Sequence, residues 1–337
     1  MLYVTTREKY DAYTAPRTLA SDRGPGGGMY LPFRMPRFTA EEISELKNQS
    51  FGQCTAQMLN LFFSTHLTGW DVEFCVGRHP VKLAAMSQKV LVAEFWRNLD
   101  GSYEKLERNL AARICSCAPD EVKVTSWLRI AVRIAVLFGL FGELMRKGIT
   151  DEFHPIDIAA AEEDFSLPMA VWYAREMGLP VNHLICSCRE DSAAWELMHQ
   201  EEYRLQPADT ATAELERLIY GTLGIDEALR YGAAADKGGV YTLRPGTVER
   251  LKKGIFTTVV SDGRQAAVIP SVYRTNAYIL APDAAFGYAG LLDYRAKTGE
   301  SRFALLLADR SPAENERITA SALKMTVPEL KKKLDQA

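Results

Sequence analysis

Residues 152–188, EFHPIDIAAAEEDFSLPMAVWYAREMGLPVNHLICSC, predict two strands joined by a helix. The first strand is predicted over 153–158, and apolar residues then recur at helical spacing from 165 to 173. Gly178, followed by proline two residues later, predicts the helix end before a second strand at 181–187. A strand, a crossover helix and a parallel strand form a βαβ unit. Ligands of open α/β sheets usually bind at the loop between the first strand and the helix.

That loop is acidic. It ends in Glu162, Glu163 and Asp164, directly before the helix. Phosphate-binding loops are rich in glycine, because backbone N–H groups must approach the anion, and the helix N-terminus behind them favours negative charge. Here carboxylates stand where the anion would bind. Two like charges about 4 Å apart repel by roughly 1 kcal/mol in water and about 4 kcal/mol near a protein surface. The loop composition therefore disfavours a phosphate site.

The overall composition predicts a soluble protein with a full core. The chain has 337 residues, of which 47% are hydrophobic, enough for one large or two modest domains. Its net charge of -3 gives no electrostatic reason to expect a nucleic-acid or anionic-membrane partner. The most apolar run, 130–145, is interrupted by Arg133 and Glu143 and is too short for a bilayer span. The N-terminus lacks the apolar core of a signal peptide, so we expect a cytoplasmic location.

The cysteines do not predict a metal site. Six of them occur, at positions 54, 75, 115, 117, 186 and 188. Four form two Cys-Ser-Cys pairs, whereas structural zinc sites usually have two or more residues between paired ligands. We therefore expect reduced and mostly buried thiols.

The chain divides into two portions without a linker between them. Residues 1–114 predict helices interspersed with short strands, and 115–337 predict an α/β portion, so one compact unit is expected. In the first portion, alternating apolar residues predict strands at 72–76, 81–83 and 90–95. In the second portion, helices are predicted at 124–145, 192–199, 213–221, 245–256, 261–273, 282–294, 312–323 and 326–335, with a buried strand at 303–308.

Five short motifs carry a resemblance along almost the whole chain. They are Thr5-Thr6-Arg7, GGMYLP at 27–32, AREMGLP at 174–180, ELERLIY at 214–220 and YILAPDAAFG at 278–287. In this order they resemble threonine synthase, a pyridoxal-phosphate (PLP) enzyme of the tryptophan-synthase-β fold type. The resemblance implies an α/β fold built on the large domain of the fold-type II PLP enzymes.

The chain departs from this family where the cofactor lysine should lie. In the family that lysine follows a segment of the form Glu-Leu-Phe-His-Gly-Pro-Thr-x-Ala-Phe. The matching segment, 94–105, places Glu104 at the lysine position, and a slip of one residue would place Lys105 there. The run Glu163-Asp-Phe-Ser166 stands where the family has Gly-Asn-Phe-Gly beside the cofactor. The resemblance thus points to Glu163, Asp164, Phe165 and Ser166 as the degenerate phosphate-loop position.

Two further family motifs are altered. Asp283 replaces the histidine of Pro-His-Thr-Ala, and Asp309-Arg-Ser-Pro312 replaces Thr-Ala-His-Pro. Between Ile114 and Val124 there are also too few residues for the small α/β domain that the family carries there. The resemblance therefore implies a shortened and degenerate relative, with the small domain missing.

Three functions are consistent with these residues. The first is a pseudoenzyme that no longer uses PLP and acts in binding or assembly, as a homo-oligomer or with another polypeptide. The second is a residual PLP-dependent lyase in which Lys105 forms the imine and the substrate is O-phosphohomoserine or a related amino acid. The third is an acidic cleft in which Glu162, Glu163, Asp164 and Asp283 bind a metal ion or a cation. Carboxylates cannot form the imine that PLP chemistry requires, which favours the first.

Overall fold

The computed structural model describes residues 1–97, 102–161, 165–200, 202–205 and 210–335. The chain begins with a small antiparallel sheet in which β1 (Leu2–Thr5) lies between β2 (Tyr13–Thr14) and β3 (Tyr30–Pro32). The helices of the first portion are α1 (Ala15–Ala20), α2 (Ala40–Ser44), α3 (Phe51–Phe63), α4 (Gly69–Val76) and α5 (Tyr103–Cys115). A capping box starts α2, where Thr39 and Glu42 exchange side-chain and backbone hydrogen bonds.

The predicted strand around Val72 is wrong, because this segment is the helix α4. Thr68 caps it: its Oγ1 accepts from the Asp71 backbone N at 3.3 Å, and Asp71 Oδ2 accepts from the Thr68 backbone N at 2.8 Å. Val72 and Val76, one helical turn apart, are buried, whereas Phe74 is exposed. The apparent alternation therefore came from two buried valines on one face of a helix and an exposed phenylalanine on the other face.

A six-stranded sheet forms the centre of the molecule. In chain order the strands of the large sheet and of a separate two-stranded sheet are β4 (Lys82–Ser87), β5 (Val90–Glu94), β6 (Ile156–Ala161), β7 (Val181–Cys188), β8 (Glu202–Arg204), β9 (Val240–Thr242), β10 (Ile255–Val259) and β11 (Ala304–Ala308). The large sheet has the order β10-β7-β6-β11-β5-β4, and β8 pairs with β9. All neighbours in the large sheet are parallel except β4, which runs antiparallel to β5 at one edge.

Helices cover both faces of this sheet. The remaining helices are α6 (Ser126–Arg146), α7 (Ser166–Glu176), α8 (Ala193–His199), α9 (Thr210–Leu223), α10 (Ile225–Ala235), α11 (Thr247–Leu251), α12 (Asp262–Asn276), α13 (Pro282–Thr298), α14 (Glu316–Leu323) and α15 (Val327–Leu334). Along β11, Leu305 and Leu307 join the core that contains α6 and α7, whereas Leu306 joins the core under α12 and α13. Burial on both faces explains why β11 is a continuous apolar run.

The strand–helix–strand unit predicted from 152–188 is confirmed as β6, α7 and β7. Phe153 was placed in the first strand, but it precedes β6 and is 73% exposed. The helix predicted at 245–256 is also too long. Gly254 has a φ of 75° and ends that segment, after which Ile255 pairs with Leu184 of β7 and starts β10. Pairing with a strand distant in sequence determines the structure of 255–259.

The two sequence portions share one sheet, because β4 and β5 precede residue 114 and their neighbour β11 follows it. Residues 116–125 connect α5 directly to α6 and contain no helix or strand. None of the helices in the described ranges is long and apolar enough to cross a lipid bilayer. The cysteines are free thiols, but only half of them are buried, fewer than expected: Cys54, Cys186 and Cys188 are buried and the other three are partly exposed.

Asp157 is a buried carboxyl near the amino end of β6. Its Oδ1 accepts from Asn182 Nδ2 at 2.8 Å, whereas its Oδ2 has no hydrogen-bond partner within the described residues. Burial raises the pKa of Asp157, and the hydrogen bond from Asn182 opposes this in part. The folded chain therefore holds this proton up to a higher pH than the unfolded chain. Asp157 stabilises the fold fully at a pH below the pKa that it has in the unfolded chain. This stabilisation is lost as the pH rises through the higher pKa of Asp157 in the folded chain.

We expect Asp157→Asn to raise the free energy of unfolding at neutral pH, by on the order of 1 kcal/mol, because no buried charge remains. The fall in stability with rising pH should become smaller in the variant. Urea denaturation from pH 4 to pH 8 measures both effects. Asp151→Asn is a control of opposite sign, because backbone N–H groups of 153 and 154 lower the pKa of Asp151. Lower stability of Asp157→Asn at neutral pH would contradict the prediction.

Candidate functional site

The candidate site lies where the carboxyl ends of β5, β11 and β6 meet. Open α/β sheets bind their ligands at this edge. Two cavities lie here, of about 230 and 50 Å³, and both are lined by Arg133 and Asp309. The larger is also lined by Tyr103, Glu104, Glu107 and Arg129, and the smaller by Ala161, Leu167, Pro168 and Asp283. We call these residues together the strand-end cleft.

An ion network crosses the larger cavity. The buried carboxylate of Glu107 on α5 accepts from Arg129 Nε at 3.1 Å and from Arg133 Nε at 3.2 Å, both on α6. Arg133 Nη1 also lies 3.7 Å from Asp309 Oδ2, just beyond β11. The Arg133 guanidinium stacks 4.8 Å from the ring centre of Tyr103, whose pKa is raised by burial. The network thus joins α5, α6 and the end of β11 through charges that compensate one another.

A second network surrounds Glu94, the last residue of β5. This buried carboxylate accepts from Arg97 Nε at 3.0 Å and from the hydroxyl of Tyr278. Burial, and then the nearby Glu94 charge, raise the pKa of Tyr278, so its phenol stays neutral and donates. Arg97 stacks over the ring of Trp96 at 4.3 Å. The hydrogen bonds and charge of Glu94 are therefore satisfied within the chain.

Glu104 and Lys105 lie at the start of α5 on its exposed side. Ser102 caps this helix by accepting from the Lys105 backbone N at 3.2 Å, and Tyr103, Leu106, Glu107 and Leu110 form its buried face. The Glu104 carboxylate accepts from Arg108 Nη2 at 3.3 Å and lies on the rim of the larger cavity. Lys105 is exposed and lines neither cavity. The candidate lysine therefore points away from the strand-end cleft.

Of the degenerate phosphate-loop position, the structure describes Phe165 and Ser166. Glu162, Glu163 and Asp164 lie outside the described residues. Phe165 is buried and precedes α7 with a φ of 58°, in the left-handed region where side chains other than glycine are strained. Ser166, which stands in place of a family glycine, is the first residue of α7 and is buried.

The structure brings two of the predicted acidic residues together, because Asp283 and Asp309 line the same 50 Å³ cavity. Asp283 lies in the first turn of α13, and its Oδ2 accepts from the Arg310 backbone N at 3.3 Å. In the described ranges, no group of three or more histidine, cysteine, aspartate or glutamate side chains could hold a metal ion. Arg133 contributes positive charge to the same cavity.

A wider crevice of about 580 Å³ adjoins the strand-end cleft beyond β7. Arg189 follows β7 and stacks 4.1 Å from the ring centre of Phe286 on α13. Its guanidinium donates to Gln265 at 2.9 Å and to the carboxylate of Asp262, both on α12. These contacts hold Arg189 against the wall of the crevice.

Sequence patterns did not predict Glu107, Arg129 and Arg133, which line the cleft, or the pair formed by Glu94 and Tyr278. One signal was available for the two arginines. They stand one helical turn apart in α6, a helix that is otherwise almost entirely apolar and buried. Charged side chains in such a helix require partners, but the sequence did not identify those partners.

The motifs that carry the family resemblance meet at a different place. Glu216, on α9, accepts from Arg7 Nε at 2.9 Å and Nη2 at 2.8 Å, and from the hydroxyl of Thr6. Arg217, also on α9, donates from Nε to the Tyr30 carbonyl at 2.9 Å. Parts of three motifs therefore form one buried polar cluster that joins the N-terminal sheet to α9. These residues therefore hold the N-terminal sheet against α9.

The fold and the position of the cleft place the chain in the fold-type II PLP architecture. The chain is similar to the PLP-bound threonine synthase of Brucella melitensis, with a TM-score of 0.79 and 16% identity over 96% of this chain and 91% of that chain. It is also similar to threonine synthase from Escherichia coli, with a TM-score of 0.72 and 13% identity over 97% and 92% of the two chains. Both comparisons show the fold.

Sequence comparison finds similarity over parts of the chain. Residues 2–78 match the profile of the threonine synthase N terminus. Over 173 residues the chain is 22% identical to Threonine synthase-like 1 of Homo sapiens, and to that of Mus musculus, covering 48% of this chain and 23% of the relative. The chain thus spans about a quarter of the length of these relatives. The chain therefore resembles the threonine synthase family in its N-terminal sequence and shares the fold of threonine synthases.

The residues of the strand-end cleft do not fit the family cofactor. A PLP enzyme holds its cofactor as an imine with a lysine amine. No lysine lines either cavity of the cleft, and none of the residues outside the described ranges is a lysine. Arginine and carboxylate side chains, which the cleft does offer, cannot take this role.

Proposed function

We propose that this chain is a threonine-synthase-like protein without PLP-dependent catalysis, acting in the cytoplasm as a binding or assembly protein. The observation that carries the proposal is the lining of the strand-end cleft, which contains no lysine. In place of a cofactor, Glu107, Arg133 and Asp309 join the elements that form the cleft. The family fold is kept, and the charges at its site are used to stabilise it.

The energetics of the network support this role. Glu107 is almost completely buried and has two arginine partners, so removing either partner would leave a buried charge poorly compensated. A bound cofactor would have to displace these contacts and would meet the carboxylates of Asp283 and Asp309 in the smaller cavity. A phosphate group beside two carboxylates is repelled, as for any like charges at short range.

We expect a titration with PLP to give no visible absorbance band of a lysine imine, and borohydride reduction to give no adduct concentrated on one lysine. The reason is that Lys105, the candidate nearest the family position, is exposed and outside the cleft. Absorbance spectroscopy followed by reduction and peptide mass mapping makes the measurement. The threonine synthase of Brucella melitensis, whose structure contains bound PLP, is the positive control.

The variant Lys105→Arg tests the competing function. If native protein gives the band and a reduced adduct at position 105, and Lys105→Arg loses both, the proposal is wrong. That result would favour a residual PLP-dependent lyase, and an assay with O-phosphohomoserine would follow. Weak labelling spread over many surface lysines, unchanged in Lys105→Arg, is the outcome expected of a chain without a cofactor site.

A further inference from the structure

Two aromatic side chains stand exposed on the outer face of α4. Trp70 is 74% exposed and Phe74 is 88% exposed. They are four residues apart on a helix, which places them side by side. The opposite face of α4 is fixed in the core by Val72 and Val76. Contiguous exposed apolar patches on a protein often mark interaction surfaces, and these two adjacent aromatic side chains form such a patch. We call Trp70 and Phe74 the α4 aromatic pair.

A groove of about 610 Å³ lies beside this pair. It is bounded by the first turns of α3 and α4 and by the last turns of α6. Trp70 supplies exposed aromatic surface to it, the buried Phe51 borders it, and polar groups at the starts of α3 and α4 form much of its rim. The groove shares no lining residue with the strand-end cleft. It is therefore a separate feature, large enough to receive a side chain from outside.

The charges around the groove and the pair compensate one another. Two ion pairs flank them, Glu73 with Arg78 at 3.5 Å and Asp71 with Arg113, and the His79 ring lies 3.9 Å from the Glu143 carboxylate. Arg78 also lies 5.9 Å from the ring centre of Trp70. Because acidic and basic groups alternate across this face, it offers no single-sign field to a highly charged ligand. A surface of mixed sign can instead face a copy of itself without net repulsion.

We propose that the α4 aromatic pair and the adjacent groove form a self-association interface between two copies of this chain. In this interface, Phe74 of each copy packs into the groove of the other copy. A two-fold dimer requires that each partner present both the protruding group and its receptor on one patch. Here the two lie next to each other on α4. The inference does not depend on whether the strand-end cleft binds PLP.

The available area is consistent with a dimer of moderate affinity. Large aromatic side chains bury about 150 to 250 Å² each, so the four aromatic residues of two copies supply on the order of 600 Å². A specific interface buries at least about 1,200 Å² in total. The rims of the two grooves provide the remaining area. Aromatic residues at the centre and paired charges at the edge are also the usual composition of such interfaces.

Sedimentation velocity of the full chain, from about 1 to about 100 µM, tests the proposal. We expect a concentration-dependent dimer. Phe74→Glu should weaken dimerisation at least about thirtyfold, because a charge replaces a central aromatic residue. Phe74→Leu keeps an apolar group and should lose less affinity. Phe153→Glu is the matched control, since Phe153 is 73% exposed but lies outside α4. Circular dichroism should show all three variants folded, because these side chains have few contacts within the chain.

Three results would overturn the proposal. The first is a native chain that remains a monomer over the whole concentration range, which would leave the face to a different partner. The second is a dimer that Phe74→Glu does not weaken, which would place the interface elsewhere. The third is equal weakening by Phe153→Glu, which would show a general effect of added charge.

Discussion

Replacing Arg217 with methionine is expected to lower the free energy of unfolding by about 3 to 5 kcal/mol, because it leaves a buried carboxylate without its partner. The side chains of Arg217 and Glu214 are both buried and form an ion pair on α9. Arg217 also donates to the Tyr30 carbonyl at 2.9 Å and to Ser126 Oγ at 2.7 Å. The guanidinium thus joins β3, α6 and α9. Loss of these contacts affects three elements that are distant in sequence.

Urea denaturation followed by circular dichroism measures the effect. If Arg217→Met is too unstable to purify, Arg217→Lys keeps the charge but loses the planar geometry of the donors, and should show a smaller loss. Arg108→Met is the matched control. Arg108 pairs with Glu104 on the exposed side of α5, where such pairs contribute about 0.3 to 0.5 kcal/mol. A loss for Arg217→Met no larger than that of the control would contradict the prediction.

The double variant Arg217→Met with Glu214→Gln separates the pair from the rest of the cluster. Once both charges are removed, no uncompensated ion remains, so the double variant should be more stable than Arg217→Met alone. The Ser126 hydroxyl donates to Glu214 and would keep an acceptor in glutamine. Simple addition of the two single effects would mean that Arg217 and Glu214 do not interact in the way the geometry indicates.

The spacing of apolar residues and the helix-ending residues predicted those elements whose structure is set by residues nearby in sequence. The unit β6, α7 and β7 follows from apolar spacing, with Gly178 and Pro180 ending α7. The error at α4 arose because burial of Val72 and Val76 and exposure of Phe74 imitate the alternation of a strand. The strand β10 was missed because its pairing with β7 is set by residues far away in sequence.

The candidate site could be predicted only as a departure from a family pattern. The resemblance located Glu104, Asp283 and Asp309, and the structure places all three on the strand-end cleft. The resemblance could not identify the side-chain contacts at the carboxyl ends of the strands. Tyr278 reaches Glu94 across 184 positions, and Arg133 reaches Asp309 from α6. Such pairs depend on the packing of whole elements, which no local spacing reports.

Replacing Trp127 with alanine is expected to lower the free energy of unfolding by about 3 to 5 kcal/mol, since it removes a large buried aromatic side chain. Trp127, on α6, makes edge-to-face contacts with three rings. The ring centres of Tyr3 and Tyr173 are both 5.9 Å away, and that of Phe62 is 5.7 Å away. Tyr3 and Phe62 belong to the first sequence portion and Tyr173 to the second. The indole therefore lies at the junction of the two portions.

The same variant tests whether 1–114 and 115–337 form one unit. If they do, Trp127→Ala should move a single unfolding transition to lower temperature, with calorimetric and spectroscopic midpoints that coincide. If the portions fold separately, loss of a junction residue should split the transition in two. Phe153→Ala, at an exposed position, should leave the midpoint almost unchanged. We expect one transition, because β4 and β5 of the first portion lie in the same sheet as β11 of the second. A strand cannot leave that sheet without exposing the backbone and the apolar faces of its neighbours.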